Sequence, residues 1–158
     1  MAEPLADQVM SRINQAAELY HRLIIIAAPA GAGKTAALRD VQKRTSAPLI
    51  NVNLALSHRM LELTGRRRAL QLPRLLVEIV NAFGGDAVLL DNIELLFDVS
   101  LKQDPLRLLQ GLSRNKTLVA AWNGSVSGGY LTYAATEHPE YRRYVIRDLL
   151  IVSPEITG

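Results

Sequence analysis

The segment "RLIIIAAPAGAGKTAAL", residues 22–38, is the most informative part of the sequence for the fold. Its apolar first half is typical of a strand buried on both faces, and a turn with Gly31 and Gly33 follows. Such glycines let backbone amides point inward around phosphate oxygens, and a helix that begins there adds the positive end of its dipole. A strand, a glycine turn and a helix in this order predict a phosphate-binding loop.

Each position of this loop has an expected role. Ala28 stands where the strict pattern has its first glycine, but that residue only starts the turn, and the relaxed pattern accepts either small residue. Lys34 is expected to reach the β- and γ-phosphates, and Thr35 to place its hydroxyl on Mg²⁺. The residues predicted to contact the nucleotide are Ala28, Pro29, Ala30, Gly31, Ala32, Gly33, Lys34, Thr35 and Ala36.

A second motif, "VLLDNIELLF", follows a long intervening segment. Asp91 ends an apolar strand and is predicted to hold Mg²⁺ together with Thr35. ATPases of this type carry glutamate directly after the metal aspartate, whereas this chain has Asn92 there and Glu94 two residues further on. Asparagine can orient a water but cannot accept its proton. Glu94 reaches the site if it lies on a turn, and faces elsewhere if the strand runs directly into a helix.

Other polar residues follow the later strands. Asn123 fits a position that contacts the γ-phosphate or the attacking water, although "WNGS" is also a turn signal. Arg142 and Arg143 precede the last strand, where ring-forming ATPases supply an arginine to the neighbouring subunit; surface ion pairing is the alternative. Arg114 and the run of Arg66, Arg67 and Arg68 are rivals for that role. The "NKTL" segment lacks the aspartate of guanine-reading loops, so ATP is favoured over GTP.

The hydrophobic pattern predicts one α/β domain over residues 1–158, opened by a helix at about 4–20. Strands are predicted at 23–27, 48–54, 86–91, 117–123 and 144–152, with helices between them. Alternating strands and helices favour a parallel sheet covered on both faces. The predicted architecture is a three-layer αβα P-loop NTPase sandwich with five mainly parallel strands in the order 5-1-4-3-2 and no C-terminal lid domain.

Composition narrows the functional classes. The chain has no cysteine and no apolar run long enough to span a bilayer, and its N-terminus is unlike a signal peptide, which together favour a cytoplasmic protein without a membrane association. The net charge of +3 does not by itself indicate nucleic acid. Arg66, Arg67 and Arg68 form a local basic run that is either a solvated face or a patch that binds phosphates, of DNA or of a neighbouring subunit's nucleotide.

The segments "APAGAGKT", "VLLDNIELLF", "LSRNKTLVAAWNG" and "HPEYRRY" together resemble the BrxF family, the small P-loop proteins of type III BREX phage-defence systems. The resemblance covers most of the chain. It implies a cytoplasmic nucleotide-binding protein that serves a machine with a large ATPase, a DNA methyltransferase and a PglZ-type protein. The family's nucleotide role falls on Gly33, Lys34, Thr35 and Asp91.

The chain also resembles the core of AAA+ ATPases, without the helical lid that follows their fifth strand. An open site of this kind is expected to bind ATP weakly unless a partner or a second copy covers it. Three hypotheses result: an ATP-dependent switch or ATPase that assembles with itself or with other defence subunits, an adaptor with a vestigial site, and a DNA-binding accessory protein. A small-molecule kinase ranks last.

Overall fold

The computed structural model describes residues 4–154 of the chain. Five α-helices and seven β-strands occur in this part, and two short 3₁₀ helices, Glu94–Phe97 and Val99–Leu101, connect β3 to α5. The helices are α1 Leu5–Ala16, α2 Lys34–Thr45, α3 Val52–Met60, α4 Gly65–Asn81 and α5 Pro105–Leu112. The strands are β1 Leu23–Ala28, β2 Leu49–Asn51, β3 Ala87–Asp91, β4 Thr117–Ser127, β5 Tyr130–Tyr133, β6 Arg142–Val145 and β7 Leu150–Val152.

A mainly parallel sheet organises the molecule. The parallel strands lie in the order β2-β3-β4-β1-β7, and β1 lies between β4 and β7, with Ile26 opposite Ala121 on one side and Val152 on the other. Beyond the parallel region, β4 continues into an antiparallel meander with β5 and β6. The carboxyl ends of β1 and β3 therefore meet at one edge of the sheet, where ligands gather in folds of this class.

Two hydrophobic clusters cover the two faces of the sheet. Ile24 and Ile26 of β1 pack with α1 and α2 on one face, while Leu23 and Ile25 pack on the other face in the cluster that includes α3, α4 and α5. All four side chains are fully buried. Burying an aliphatic side chain of this size stabilises a fold by about 1.5–3 kcal/mol. The protein is thus an α/β fold with helical layers on both faces of the sheet.

The prediction of five strands is wrong, because the sheet has seven. The predicted strand at 144–152 is two strands, β6 and β7, separated by residues 146–149, in which Asp148 has a left-handed φ of 57°. The predicted strand at 48–54 ends at Asn51, whose side chain accepts a hydrogen bond from the Leu54 amide (3.0 Å). Asparagine at this position caps a helix N-terminus, so the chain turns into α3 there.

The ends of two other elements also differ from the prediction. The opening helix is shorter, Leu5–Ala16 in place of about 4–20. The fourth strand does not end at Asn123: it runs on to Ser127, and the turn comes at Gly128 and Gly129, both with positive φ. Gly124 lies within the strand, where a Cβ would collide with the backbone of Thr132. Within residues 4–154 no helix combines the length and the apolar character needed to cross a membrane.

Candidate functional site

Residues 28–36, which comprise the last residue of β1, the turn after it and the first residues of α2, are called the glycine loop below. Gly31 and Gly33 have φ values of 81° and 93°, a left-handed conformation that glycine adopts without strain. Apart from their chain neighbours, no residue of the 4–154 range has a heavy atom within 4 Å of the place where either glycine would carry a Cβ, so this side of the loop backbone faces open space. Gly33 is also the N-cap of α2 and has no side chain to bond the first amides of that helix. These amides are available to an anion.

Lys34 is folded back over the glycine loop. Its Nζ donates hydrogen bonds to the carbonyl oxygens of Ala28 and Pro29, both at 2.7 Å, and the residue is only 7% exposed. Burial lowers the pKa of the Lys34 ammonium, while the carboxylates of Glu94 and Asp91 act in the opposite direction and favour its charged form. The site therefore contains a partly desolvated cation facing two acids.

Thr35 and Asp91 contact each other across the base of the site. The Thr35 hydroxyl donates to Asp91 Oδ2 at 2.6 Å, and Asp91 Oδ1 accepts from the Asn92 amide at 2.9 Å. Asp91 is buried at the carboxyl end of β3, opposite Asn51 of β2. A hydroxyl and a carboxylate in contact provide the hard oxygen ligands that Mg²⁺ prefers.

Glu94 lies on a turn, the first of the two arrangements that the sequence leaves open. Asn92 adopts a left-handed φ of 53° directly after β3, and Glu94 begins the 3₁₀ helix that follows. Asn123 Nδ2 donates to Glu94 Oε1 at 2.9 Å, and Asn53 Nδ2 donates to Glu94 Oε2 at 3.4 Å. Both carboxylate oxygens are thus held by amides, one from β4 and one from α3.

Sequence reasoning missed Asn53. Its side-chain oxygen accepts a hydrogen bond from the Leu95 backbone amide at 2.8 Å, and its backbone amide donates one to the Asn92 carbonyl at 2.8 Å. Asn53 therefore stabilises the turn that carries Glu94. The predicted strand at 48–54 treated Asn53 as an ordinary alternating polar residue. Asn51 was the available signal: taken as a helix N-cap, it ends the strand early and places Asn53 in the first turn of α3.

The aromatic core supports the same turn. Phe97, at the other end of the 3₁₀ helix, stacks on Tyr133 of β5 with ring centroids 3.5 Å apart, and its edge meets Trp122 at 5.0 Å. Burial raises the pKa of the Tyr133 hydroxyl, and the nearby Glu94 and Glu140 carboxylates add to this. One short helix therefore links the site, through Glu94, to the meander of β4, β5 and β6.

Most of the predicted site residues line one open pocket of about 390 Å³. The lining residues are Ala30, Gly31, Gly33, Lys34, Thr35, Ala36, Asp91, Asn92, Glu94 and Asn123. Ala28 and Pro29 contribute carbonyl oxygens to Lys34 without lining the pocket, and Ala32 lies within the glycine loop. The turn interpretation of Asn123 is wrong, because this residue is inside β4 with its side chain directed at Glu94.

The predicted arginines lie outside this pocket. Arg142 Nη2 donates to the Gln103 carbonyl at 2.9 Å, and the Arg143 guanidinium stacks 3.7 Å from the ring centre of Tyr130.

The Arg114 guanidinium lies 4.9 Å from the ring centre of Tyr20. The run of Arg66, Arg67 and Arg68 occupies the first turn of α4. Among the described residues, the cation that lines the pocket is Lys34.

The pocket brings together anion-binding amides, a cation, a hydroxyl–carboxylate pair and a second carboxylate held by two amides. This set can bind phosphate oxygens and a divalent cation, and can accept a proton from a water. The sequence matches no protein-family model and no curated protein, so the geometry of the site has to carry the functional conclusion.

Proposed function

We propose that this chain binds Mg²⁺ and ATP at the glycine loop and acts as a nucleotide-dependent switch with ATPase activity. The contact between Thr35 and Asp91, 2.6 Å long and next to the loop, is the observation that carries the proposal. A strand order of β7-β1-β4-β3-β2 with the glycine loop after the interior strand β1 supports a P-loop fold with an inserted strand.

The residues present fit a nucleoside triphosphate. The glycine-loop amides and the α2 N-terminus would hold phosphate oxygens, and Lys34 would turn from the Ala28 and Pro29 carbonyls to the β- and γ-phosphates. Thr35 and Asp91 would hold Mg²⁺, which when bound neutralises charge on the phosphates. Among the described residues, the space beside the Cα atoms of Gly31 and Gly33 is open, which leaves room for a phosphate near the loop.

Glu94 is the proposed general base for hydrolysis. A carboxylate accepts a proton from water, which the Asn92 amide cannot do. The hydrogen bonds from Asn123 and Asn53 fix the Glu94 carboxylate at the pocket, opposite the glycine loop. In this assignment Asn123 and Asn92 orient the water, and Asn53 is a positioning residue.

Hydrolysis is proposed to depend on a second molecule. Arg142 and Arg143 both lie on β6, away from the pocket of their own chain, with Arg143 exposed. An arginine supplied from a neighbour stabilises the charge that develops during phosphoryl transfer. We assign this role to one of these two residues of a second copy, or to an arginine of a partner protein.

The biological setting follows from the resemblance to the BrxF family. We propose that the switch acts in a phage-defence complex of the BREX type, with the large ATPase, the PglZ-type protein and the methyltransferase as partners. A protein that supports defence equally well after loss of nucleotide binding is instead an adaptor with a vestigial site.

The decisive experiment combines phosphate release with molar mass on a sizing column. The wild type is measured with Mg²⁺ plus ATP, with Mg²⁺ plus ADP and without nucleotide, next to Asp91→Asn. We expect phosphate release that is lost in Asp91→Asn, and a mass that differs between the ATP and ADP samples. Equal masses in all three samples, together with no phosphate release, would contradict the proposed switch.

A further inference from the structure

The hairpin of α3 and α4 concentrates the charge of the molecule. Residues 52–81 contain five arginines and two glutamates, an excess of +3 that equals the net charge of the whole chain. Five of the nine exposed large hydrophobic side chains of the described residues also lie in or directly after this hairpin. They are Leu54, Leu61, Leu70, Val77 and Phe83. A surface that is both basic and apolar is unlike the ordinary solvated face of a helix.

The basic and apolar residues share one face of α4. The α4 stripe is defined here as Arg66, Arg67, Leu70, Arg74 and Val77, which are all exposed and repeat at helical spacing. Leu70 is 73% exposed and Val77 is 43% exposed. The opposite face of the helix is buried in the core, so the stripe faces outward.

Folding does not explain the arginines at the start of the stripe. Glu78, the acid of α4, lies near the other end of the helix, and it pairs with Arg59 at 2.8 Å and with Arg74 at 3.4 Å. Arg66 and Arg67 make no ion pair with another residue of the 4–154 range. Positive charge in the first turn of a helix opposes the helix dipole, an effect of about 0.3–1 kcal/mol per charge. These two arginines therefore remain available to an outside anion.

A groove runs beside the stripe, between α4 and α5. It has a volume of about 260 Å³, and its walls include Pro73, Leu76 and Val77 of α4 and Leu108 of α5. Arg107, which is exposed, stands at its edge. The groove has room for apolar side chains, and positive charge flanks it on both helices, from Arg74 of α4 and Arg107 of α5.

We propose that the α4 stripe and this groove dock an acidic amphipathic helix of a partner protein. Apolar side chains of that helix would enter the groove and cover Leu70 and Val77, while its carboxylates would meet Arg66, Arg67 and Arg107. The exposed Leu70 and Val77 favour protein over the phosphate backbone of a nucleic acid. The shared positive charge disfavours a second copy of this chain on the same face.

The probe is a fluorescent synthetic peptide that forms a helix, with leucines at positions i, i+4 and i+7 and glutamates on its flanks. A matched peptide carries lysine in place of glutamate. A duplex oligonucleotide and vesicles of anionic lipid are tested alongside. Three variants are compared with the wild type: Arg66→Glu/Arg67→Glu, Val77→Glu, and a control on the exposed face of α2, Arg39→Glu/Lys43→Glu.

We expect the acidic peptide to bind the wild type and the control variant, and to bind both stripe variants at least tenfold more weakly. The lysine peptide should not bind. The proposal is overturned if the acidic peptide fails to bind, if the stripe variants bind it normally, or if the oligonucleotide or the vesicles depend on the same residues instead. ATP binding should be unchanged in the stripe variants, so this test is independent of the glycine loop.

Discussion

On the glycine-loop side of the pocket, Lys34 and Thr35 contact the loop itself and Asp91 of β3. On the opposite side, Glu94 is held by Asn53 of α3 and Asn123 of β4. The first side follows from a local strand–turn–helix sequence and the end of one neighbouring strand. The second side exists only after three distant segments have packed. ATP binding is assigned to the first side and ATP hydrolysis to the second, so the two functions should respond to different substitutions.

The largest expected effect is on hydrolysis, in Glu94→Gln. Removing a general base lowers the rate by about 10²–10⁴-fold, while the amide retains the size of the side chain. ATP affinity should stay within a few-fold of the wild type, because Glu94 lies opposite the glycine loop. Phosphate release is measured with Mg²⁺ and ATP under the same conditions as for the wild type, with the exposed Glu62→Gln as the control. Hydrolysis at the wild-type rate in Glu94→Gln would contradict the assignment of hydrolysis to the Glu94 side of the pocket.

Thr35→Val tests the glycine-loop side. The change keeps the shape of the side chain but deletes the hydroxyl that contacts Asp91. A hydrogen bond to a charged group contributes about 1.5–3 kcal/mol, so the stimulation of ATP binding by Mg²⁺ should fall by about tenfold or more. Titrations with Mg²⁺ and with EDTA measure this directly. Thr45→Val, at the end of the same helix, should leave the Mg²⁺ stimulation intact.

A smaller effect is expected for Asn53→Ala. The variant loses the hydrogen bonds to Glu94 and to the Leu95 amide, so hydrolysis should fall by about tenfold, in keeping with about 1 kcal/mol for a typical hydrogen bond. Asn51→Ala is the matched control, because it removes the α3 cap at a similar cost to stability, about 1 kcal/mol, without contacting Glu94. Equal hydrolysis rates in the two variants would show that Asn53 has only a structural role.

The smallest effect concerns the stability of the core behind Glu94. The pKa of Tyr133 is raised in the folded state, so its contribution to stability is complete below the unfolded pKa of about 10 and is lost as the pH rises above that value. Urea unfolding should therefore show a falling free energy of unfolding at alkaline pH. In Tyr133→Phe this fall should be shallower. If the free energy of unfolding falls with pH at the same slope in both proteins, Tyr133 ionises as readily in the folded chain as in the unfolded chain.

The sequence was sufficient for the parts of the molecule that local rules govern. A buried apolar run, two glycines and a lysine–threonine pair predict the first strand, the turn and α2, because each feature depends on its immediate neighbours. The position of Glu94 depends instead on the left-handed conformation of Asn92 and on side chains from α3 and β4. The split between β6 and β7 likewise depends on a local left-handed residue, Asp148, which an apolar pattern does not reveal.

Nucleotide binding at the glycine loop is measured by calorimetric titration of the protein with ATP in Mg²⁺, using wild type, Lys34→Ala and the exposed-lysine control Lys43→Ala. We predict saturable binding near one nucleotide per chain for the wild type and for Lys43→Ala, and affinity at least tenfold weaker for Lys34→Ala. Absence of binding in the wild type, or equal affinity in all three proteins, would contradict the assignment of the glycine loop as a nucleotide site.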